Sequence, residues 1–203
     1  MTKHSTRSVD APPREIPDPA SLRSDLRARR ERIIDVAVEL MREVDYDRIQ
    51  VKDVADGAEV ALGTLYRYFG SKDHLFACAL LQWSSGYGER LERSTGASPL
   101  ERVTSTYRRA VRAFEREPRV FDVLTQLQSA KDEHAATVFQ EFSRTTTDAF
   151  ESALADIPSP DREDIVAVMS AVLAEGLRGR QHGLLSFTQL QTRIQRTAEL
   201  ILG

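Results

Sequence analysis

Residues 50–72 read QVKDVADGAEVALGTLYRYFGSK. Val51, Val54, Ala55 and Ala58 recur at i, i+3, i+4 and i+7, one face of a helix. Gly57 and Ala58 are small where another helix must cross closely. Val60 begins a turn, and Leu65 and Phe69 repeat at i, i+4 on the inner face of a second helix. That leaves Leu62, Gly63, Thr64, Tyr66, Arg67 and Tyr68 on the outer face: a hydroxyl, two phenols, a guanidinium and a glycine that permits close backbone approach. Two short helices joined this way make a helix-turn-helix, whose second helix enters the DNA major groove. Periodicity alone is equally met by two core helices with solvated outer faces. Gly70 and Ser71 end the second helix and cap the next, with Lys72 beside the junction.

The string itself is more specific than its periodicity. LGTLYRYFGSKDHLF resembles the recognition helix and following helix of the TetR family of bacterial repressors, in which a T-(L/I)-Y-x-(Y/H)-F-x-(S/N)-K run is characteristic. The likeness extends upstream through RRERIIDVAVELMREVDYDRIQVKDVAD and covers roughly Arg29 to Leu80. Within the family the head is most similar to actinobacterial sterol-catabolism repressors, through VADGAEVALGTLYRYFGSKDHL. The resemblance implies that Lys52, Gly63, Thr64, Tyr66, Tyr68 and Lys72 touch bases or phosphates. Leu62 completes that face, and Arg67 turns either into the groove or along the backbone.

Charge gives little help. The formal net charge is −3, and residues 1–75 hold 13 Lys and Arg against 14 Asp and Glu. Any affinity for DNA must come from local placement of cations, doubled by dimerisation, rather than from a basic domain. A chain of 203 residues can bury a substantial core, and 41% apolar with 29% charged residues is a globular balance. No apolar run approaches the 18 or so residues that cross a bilayer, and the first residues lack the apolar core of a secretory signal. The lone Cys78 excludes an internal disulfide framework, so a cytoplasmic protein without membrane association is expected.

Taken in order, residues 1–22 contain four prolines and few large apolar groups, which predicts a disordered tail. Its Lys3, Arg7 and Arg14 serve either a minor-groove arm or no purpose beyond solvation. Helix 1 is predicted from Ser24 to Val44, with Ile33, Ala37, Leu40, Met41 and Val44 as its buried stripe. Arg23, Arg27, Arg29, Arg30 and Arg32 at its start are either a solvated face or phosphate contacts. Tyr46 is expected to pack beneath the helix-turn-helix. Ser71 caps helix 4, which Gly86 and Gly88 should end or bend; Cys78 reads there as a small hydrophobe. Ser98-Pro99-x-Glu101 opens helix 5, Pro118 separates it from helix 6, and helix 7 runs from Asp132 to Leu154. Ser159 caps helix 8 and Ser186-x-x-Gln189 opens the last helix.

These signals predict an all-α chain of about nine helices. A tail (1–22) precedes a three-helix helix-turn-helix head (23–74) and a helical-bundle body (75–203) for ligand binding and dimerisation. Trp83, Tyr107, Phe114, Phe121, Leu124, Phe139 and Phe142 fall on helices that meet in the body. Singly they read as core. TetR-like bodies enclose a ligand cavity between such helices, so the resemblance implies an apolar or amphipathic effector, with Gln126, Gln128 and Ser129 as polar candidates. Helix 8 is apolar around much of its girth, through Ile165, Val166, Val168, Met169, Val172, Leu173 and Leu177, so it must be covered on both sides, and Gly176, Gly179 and Gly183 permit close approach. Leu190 and Ile194 lie on the stripe of the last helix. Burial within one subunit would explain both patterns. The family's four-helix dimer bundle favours a homodimer interface through Val168, Val172, Gly176, Leu190 and Ile194.

An enzyme would need a reactive constellation. His4, His74, His134 and His182 are scattered, and H-x-x-x-H, C-x-x-C and G-x-S-x-G motifs and a phosphate-binding glycine loop are all lacking. No catalysis, metal or cofactor is expected. The expected function is a repressor released from a palindromic duplex operator by a small molecule. The alternative is a DNA-binding protein without an effector, either architectural or constitutive. An architectural protein binds many sequences alike, which separates it from an operator-specific one.

Overall fold

A computed structural model describes residues 16–91, 98–158 and 161–203, with the backbone alone for 86–91. Nine α-helices fill the described residues: α1 (Ser24–Glu43), α2 (Val51–Gly57), α3 (Leu62–Leu65), α4 (Lys72–Leu91), α5 (Pro99–Arg116), α6 (Pro118–Leu127), α7 (Glu133–Ser152), α8 (Asp161–Gln181) and α9 (Phe187–Leu202). Short 3-10 turns lie at Pro19–Ser21 and Tyr46–Arg48.

The caps sit where the side-chain chemistry requires them. Ser71 Oγ accepts from His74 N at 3.0 Å at the start of α4. Ser98 Oγ accepts from Glu101 N, and Glu101 Oε2 accepts from Ser98 N, at 3.3 and 3.4 Å. Ser186 and Gln189 repeat that reciprocal pair at 3.1 and 2.8 Å, and Asp132 caps α7 through Ala135 N at 2.7 Å. Each such cap contributes about 1 kcal/mol by satisfying an otherwise orphaned amide. The cap expected at Ser159 lies outside the described residues, as do Lys3, Arg7 and Arg14.

One continuous apolar cluster runs from Ile33 to Ala198 through head and body. In the head, Ile33, Ile34, Ala37, Val38 and Met41 of α1 are buried, with Leu40 and Val44 half-buried at the edge. Leu65 and Phe69 are fully buried, about 2 kcal/mol each in removed apolar surface. Tyr46 is buried edge-on to Phe76 at 5.3 Å, as its place after α1 suggested. On α4, residues 74–80 are all buried, because this helix packs on α1 of the head and on α7 of the body. Cys78 is part of that filling. Arg30 Nη2 donates to its Sγ at 3.3 Å, but burial outweighs the cation and pushes the thiol pKa up.

The structure departs from the sequence reading at several points. Residues 16–22 are not a free tail. Asp18 caps the 3-10 turn through Ala20 N, Leu22 packs on the core, and Ile16 Cδ1 lies 2.9 Å from where a β-carbon on Gly70 would be. Gly86 and Gly88 do not end α4, which continues to Leu91. Gly176 is buried against Leu190, and Leu190 and Ile194 have no more than 1% exposure within the single chain. These three residues join α8 to α9 of the same subunit and have no surface to offer a partner. Gly183 is not a close-approach position either. At φ +70° it closes α8, with Leu184 N donating to Gly179 O and Gly183 N to Arg180 O. The large apolar groups of this hairpin that remain exposed are Val168 (47%) on α8, Leu184 (75%) in the connection, and Leu200 (86%) and Ile201 (38%) on α9.

Candidate nucleic-acid interface and internal cavity

The helix-turn-helix is closed by a Schellman turn. Val60 N donates to Ala55 O and Glu59 N to Asp56 O, which forces Glu59 to φ +55°. Glycine usually occupies such a position, since other residues lose about 1–2 kcal/mol there. The turn presents α3, a single α-helical turn that tightens at its end, where Arg67 N donates to Thr64 O and Tyr68 N to Leu65 O. Gly57 sets the crossing with α1, since a β-carbon there would meet Val36 Cγ1 at 2.9 Å.

The predicted contact residues separate into three groups. Lys52, Leu62, Gly63 and Arg67 are exposed, and Thr64 and Tyr66 are half-exposed beside them. A β-carbon on Gly63 would have nothing within 4 Å, so its backbone is open to an approaching surface. Tyr68 does not belong to that face. It is 7% exposed and packs with the core beside Phe69, because the tightened end of α3 turns it inward. Lys72 is also drawn inward. Its ammonium donates to the Tyr46 carbonyl and lies 4.1 Å above the Tyr46 ring, while the Tyr46 hydroxyl donates to Asp73 Oδ1 at 2.6 Å. Burial lowers the Lys72 pKa, opposed by Asp47 and Asp73. Among the α1 arginines, Arg23 pairs with Asp25, Arg27 binds the Ala20 and Leu22 carbonyls, and Arg30 lies over Phe69. Arg29 and Arg32 are exposed.

The body holds a half-open cavity of about 260 Å³. Trp83, Phe114, Phe121, Leu124, Phe139 and Phe142 all line it, drawn together from α4, α5, α6 and α7. Tyr107 does not reach it. It stands one layer behind, stacked on Phe150 at 4.2 Å, with its hydroxyl donating to Val166 O at 3.2 Å and lying 3.0 Å from Ser170 Oγ. Burial raises the Tyr107 pKa, so this phenol stays neutral. Gln128 reaches the lining; Gln126 and Ser129 are exposed elsewhere.

Sequence reasoning missed Arg109, Ser143, Thr146, Phe150, Ser170, Leu173 and Leu177 in that lining. Two signals were available. Phe139, Phe142, Thr146 and Phe150 form one helical stripe at spacings of three, four and four. The girdling apolarity of α8 also has a simple cause: one side faces the cavity and another faces α9. The lining mixes aromatic rings with hydroxyls, and α7 contributes both: Phe139, Phe142 and Phe150 beside Ser143, Thr145, Thr146 and Thr147. Such a surface holds an apolar body and orients a few polar atoms. No group of three or more His, Cys, Asp or Glu among the described residues is arranged to hold a metal ion, and no described helix is long and apolar enough to cross a membrane.

A second, more polar crevice lies where the head meets the body, lined by Arg30, Tyr68, His74, Cys78 and His134. His74 Nδ1 accepts from Gly70 N at 3.2 Å, and its ring stacks on His134 at 5.3 Å. Burial first, then His134, lowers the His74 pKa from 6.5 to about 4.

Residues 33–79 match the family model described as bacterial regulatory proteins, tetR family. Residues 96–201 match that of the tetracyclin repressor-like C-terminal domain. The HTH-type transcriptional repressor KstR of Mycobacterium tuberculosis is 32% identical, with 98% of this chain and 95% of that protein covered. KstR of Rhodococcus jostii is also 32% identical, over 86% of this chain and 83% of its own. Among solved structures, a TetR transcriptional regulator from Rhodococcus sp. RHA1 superposes with a TM-score of 0.76 at 26% identity, covering 88% of this chain and 98% of that one. The regulator FadR from Bacillus subtilis, solved with stearoyl-CoA, shares the fold at a TM-score of 0.65 and 19% identity, covering 85% and 97%.

Proposed function

The chain belongs to the TetR family of bacterial regulatory proteins and is a DNA-binding transcriptional regulator; from that premise we propose that it is a homodimeric repressor released from its operator by an apolar or amphipathic small molecule. The observation that carries the effector reading is the position of Trp83. It lines the cavity and belongs to α4, the helix that begins directly after the DNA-reading turn. A molecule pressed against that wall bears on a helix that packs against both α1 of the head and α7 of the body.

The cavity volume indicates how much of a ligand the body can cover. About 260 Å³ lies just below the roughly 300–1,000 Å³ of sites that enclose drug-sized molecules. It suits a compact apolar molecule or the apolar end of a longer one. On the DNA side, Thr64, Tyr66 and Gly63 read bases, while Lys52 and Arg67 hold phosphates. One such head reads few base pairs, so two heads on a twofold axis read a pseudo-palindrome with half-sites one helical turn or a multiple apart. The exposed Val168, half-buried Val172, and exposed Leu200 and Ile201 supply the apolar face for that twofold contact. A genomic operator places the protein in the cytoplasm.

The test is selection of a duplex from a random pool, then a screen for apolar and amphipathic compounds that release it. A palindromic consensus and a releasing compound are the expected results. Equal binding to all duplexes would instead identify an architectural protein, and a consensus without any releasing compound a constitutive repressor.

A further inference from the structure

Glu117 stands at the hinge between α5 and α6, the last cap of one and the first of the other, at φ −132° and ψ 65°. A single carboxylate oxygen, Oε2, accepts two hydrogen bonds. Trp83 Nε1 donates at 2.6 Å from α4, and Arg42 Nε donates at 2.9 Å from the last turn of α1. The first donor is a wall of the cavity. Its ring leans on Phe114 at 5.6 Å, which meets Phe121 edge-on at 5.6 Å, and all three rings line the space. The second donor belongs to the helix on which α2 of the head packs. We propose that Glu117 is a positioning residue that couples occupancy of the cavity to the placement of the DNA-reading head. The inference rests on the reading of the chain as an operator-binding, effector-responsive protein.

The physical case lies in the shared oxygen. Charge-assisted hydrogen bonds are short, directional and stronger than neutral ones, so the two donors hold one carboxylate only while both are in register. A molecule entering beside Trp83 must turn the indole or slide α4, and either movement draws Nε1 from Glu117. The carboxylate then follows Trp83 or stays with Arg42, and the α5–α6 hinge shifts relative to α1. This tether acts from cavity to α1 across space, separately from the covalent path along α4 to the recognition turn. A parallel pair, Arg119 Nε to Asp45 Oδ1 at 3.0 Å, also joins α6 to the end of α1. Both of its partners are about half exposed, and exposed pairs contribute little. Arg42 is as exposed as Arg119, at 43%, but the Glu117 carboxylate is 20% exposed against 57% for Asp45 and also holds the buried Trp83, so it is the stiffer of the two links.

Trp83 is the only tryptophan of the chain, so intrinsic emission reports on this contact directly. Emission of the full-length protein is recorded with and without a saturating duplex selected from a random pool. By reciprocity, the head must act on the cavity wall as the wall acts on the head. The wild-type emission should shift on binding the duplex. In Glu117→Gln that shift should fall to roughly a fifth or less, while duplex affinity stays within about threefold, below the roughly 5–150-fold span of usual coupling factors. Arg42→Gln leaves the Trp83–Glu117 contact in place and should lose the shift from the head side; thermal melts check that both variants fold. A full shift in Glu117→Gln overturns the inference, as does a wild-type protein that binds the duplex with no shift. Loss of duplex binding by a folded Glu117→Gln also overturns it, since the residue would then build the head rather than couple it. A protein that selects no duplex overturns both the inference and the reading beneath it, whereas failure to find a releasing compound removes only the effector reading.

Discussion

Leu190 of α9 fills the gap that Gly176 leaves on α8: a β-carbon on Gly176 would lie 2.1 Å from Leu190 Cδ1. The glycine on this helix therefore serves a contact inside the subunit, and the surface left for a partner is a different one. Gly176→Val should overpack the hairpin and cost about 1–3 kcal/mol or more, read as a lower urea midpoint. Val168→Arg should behave otherwise. Val168 is 47% exposed in the single chain, so the subunit tolerates the charge, whereas a covered interface does not. Sedimentation should show monomer for Val168→Arg with helical content retained. An intact dimer would place the interface away from the N-terminal half of α8.

Glu59 holds φ +55° in the turn that orients α3. Releasing a non-glycine residue from that region gains about 1–2 kcal/mol. Glycine returns about 0.4–1 kcal/mol of that as extra freedom in the unfolded chain. The net expectation for Glu59→Gly is stabilisation by about 0.5–1 kcal/mol, seen as a higher melting temperature with operator affinity unchanged.

Gly63 and Tyr66 allow the DNA face to be tested without disturbing the fold. Gly63 has open space where a β-carbon would go, and alanine is about 1 kcal/mol the better helix former. Gly63→Ala should therefore fold at least as stably yet bind the operator more weakly, because the added methyl holds the backbone off the groove. Tyr66→Ala should abolish operator selectivity in a gel shift while the dimer persists. Tyr68→Ala is expected to do the opposite of a surface change. It opens a cavity in the core and lowers stability by about 3–5 kcal/mol, the range for truncating a buried aromatic. Lys72→Ala should weaken all duplexes alike, and a loss of stability beside it would measure the cation's contacts with Tyr46.

The head was legible because each of its features has a local cause. The period of Val51, Val54, Ala55 and Ala58, the cap at Ser71 and the paired Leu65 and Phe69 all sit within a few residues of what they specify. The turn of Tyr68 into the core was not legible, because it depends on α3 tightening after one turn, which periodicity at 3.6 residues does not reveal. Lys72 looked free in the sequence because its partner, the Tyr46 carbonyl, lies 26 residues away. In the body, six of seven proposed lining residues face the cavity, since large aromatic groups on converging helices have few other places to go. Ser170 and Leu177 were hidden because α8 shows apolar residues on several sides, and only the packing of α9 says which side is which.

His74 gives the protein an acid-sensitive junction. Its folded-state pKa is about 4 against an ordinary 6.5, set first by burial, then by His134, with Asp132 opposing and Arg30 reinforcing the shift. Above pH 6.5 the ring is neutral in both folded and unfolded chains and adds no slope. Between 6.5 and 4 the unfolded chain takes up a proton that the folded chain refuses, so stability falls as the solution is acidified. His74→Asn keeps an acceptor for Gly70 N and removes the titration. Urea midpoints recorded across that window should slope in the wild type and flatten in the variant; parallel slopes would assign the acid sensitivity to other groups.

Leu124 offers the sharpest separation of the two ends of the molecule. It lines the cavity from α6 and takes no part in the operator face. Leu124→Trp places an indole into a space of only about 260 Å³, so little room remains for a ligand. Operator affinity should stay within about threefold of wild type, a smaller change than the roughly 5–150-fold that an acting ligand exerts. Whichever compound releases the wild-type protein should then bind poorly and release nothing. Calorimetry with that compound supplies the thermodynamic check. A ligand shifts the head only by its difference in affinity between the two states, typically about 1–3 kcal/mol or roughly 5–150-fold. The wild type should accordingly bind the compound more weakly when operator is present, by the same factor by which the compound weakens operator. Equal ligand affinity with and without operator would mean that the compound occupies the cavity without acting on the head, and induction by this route would be excluded.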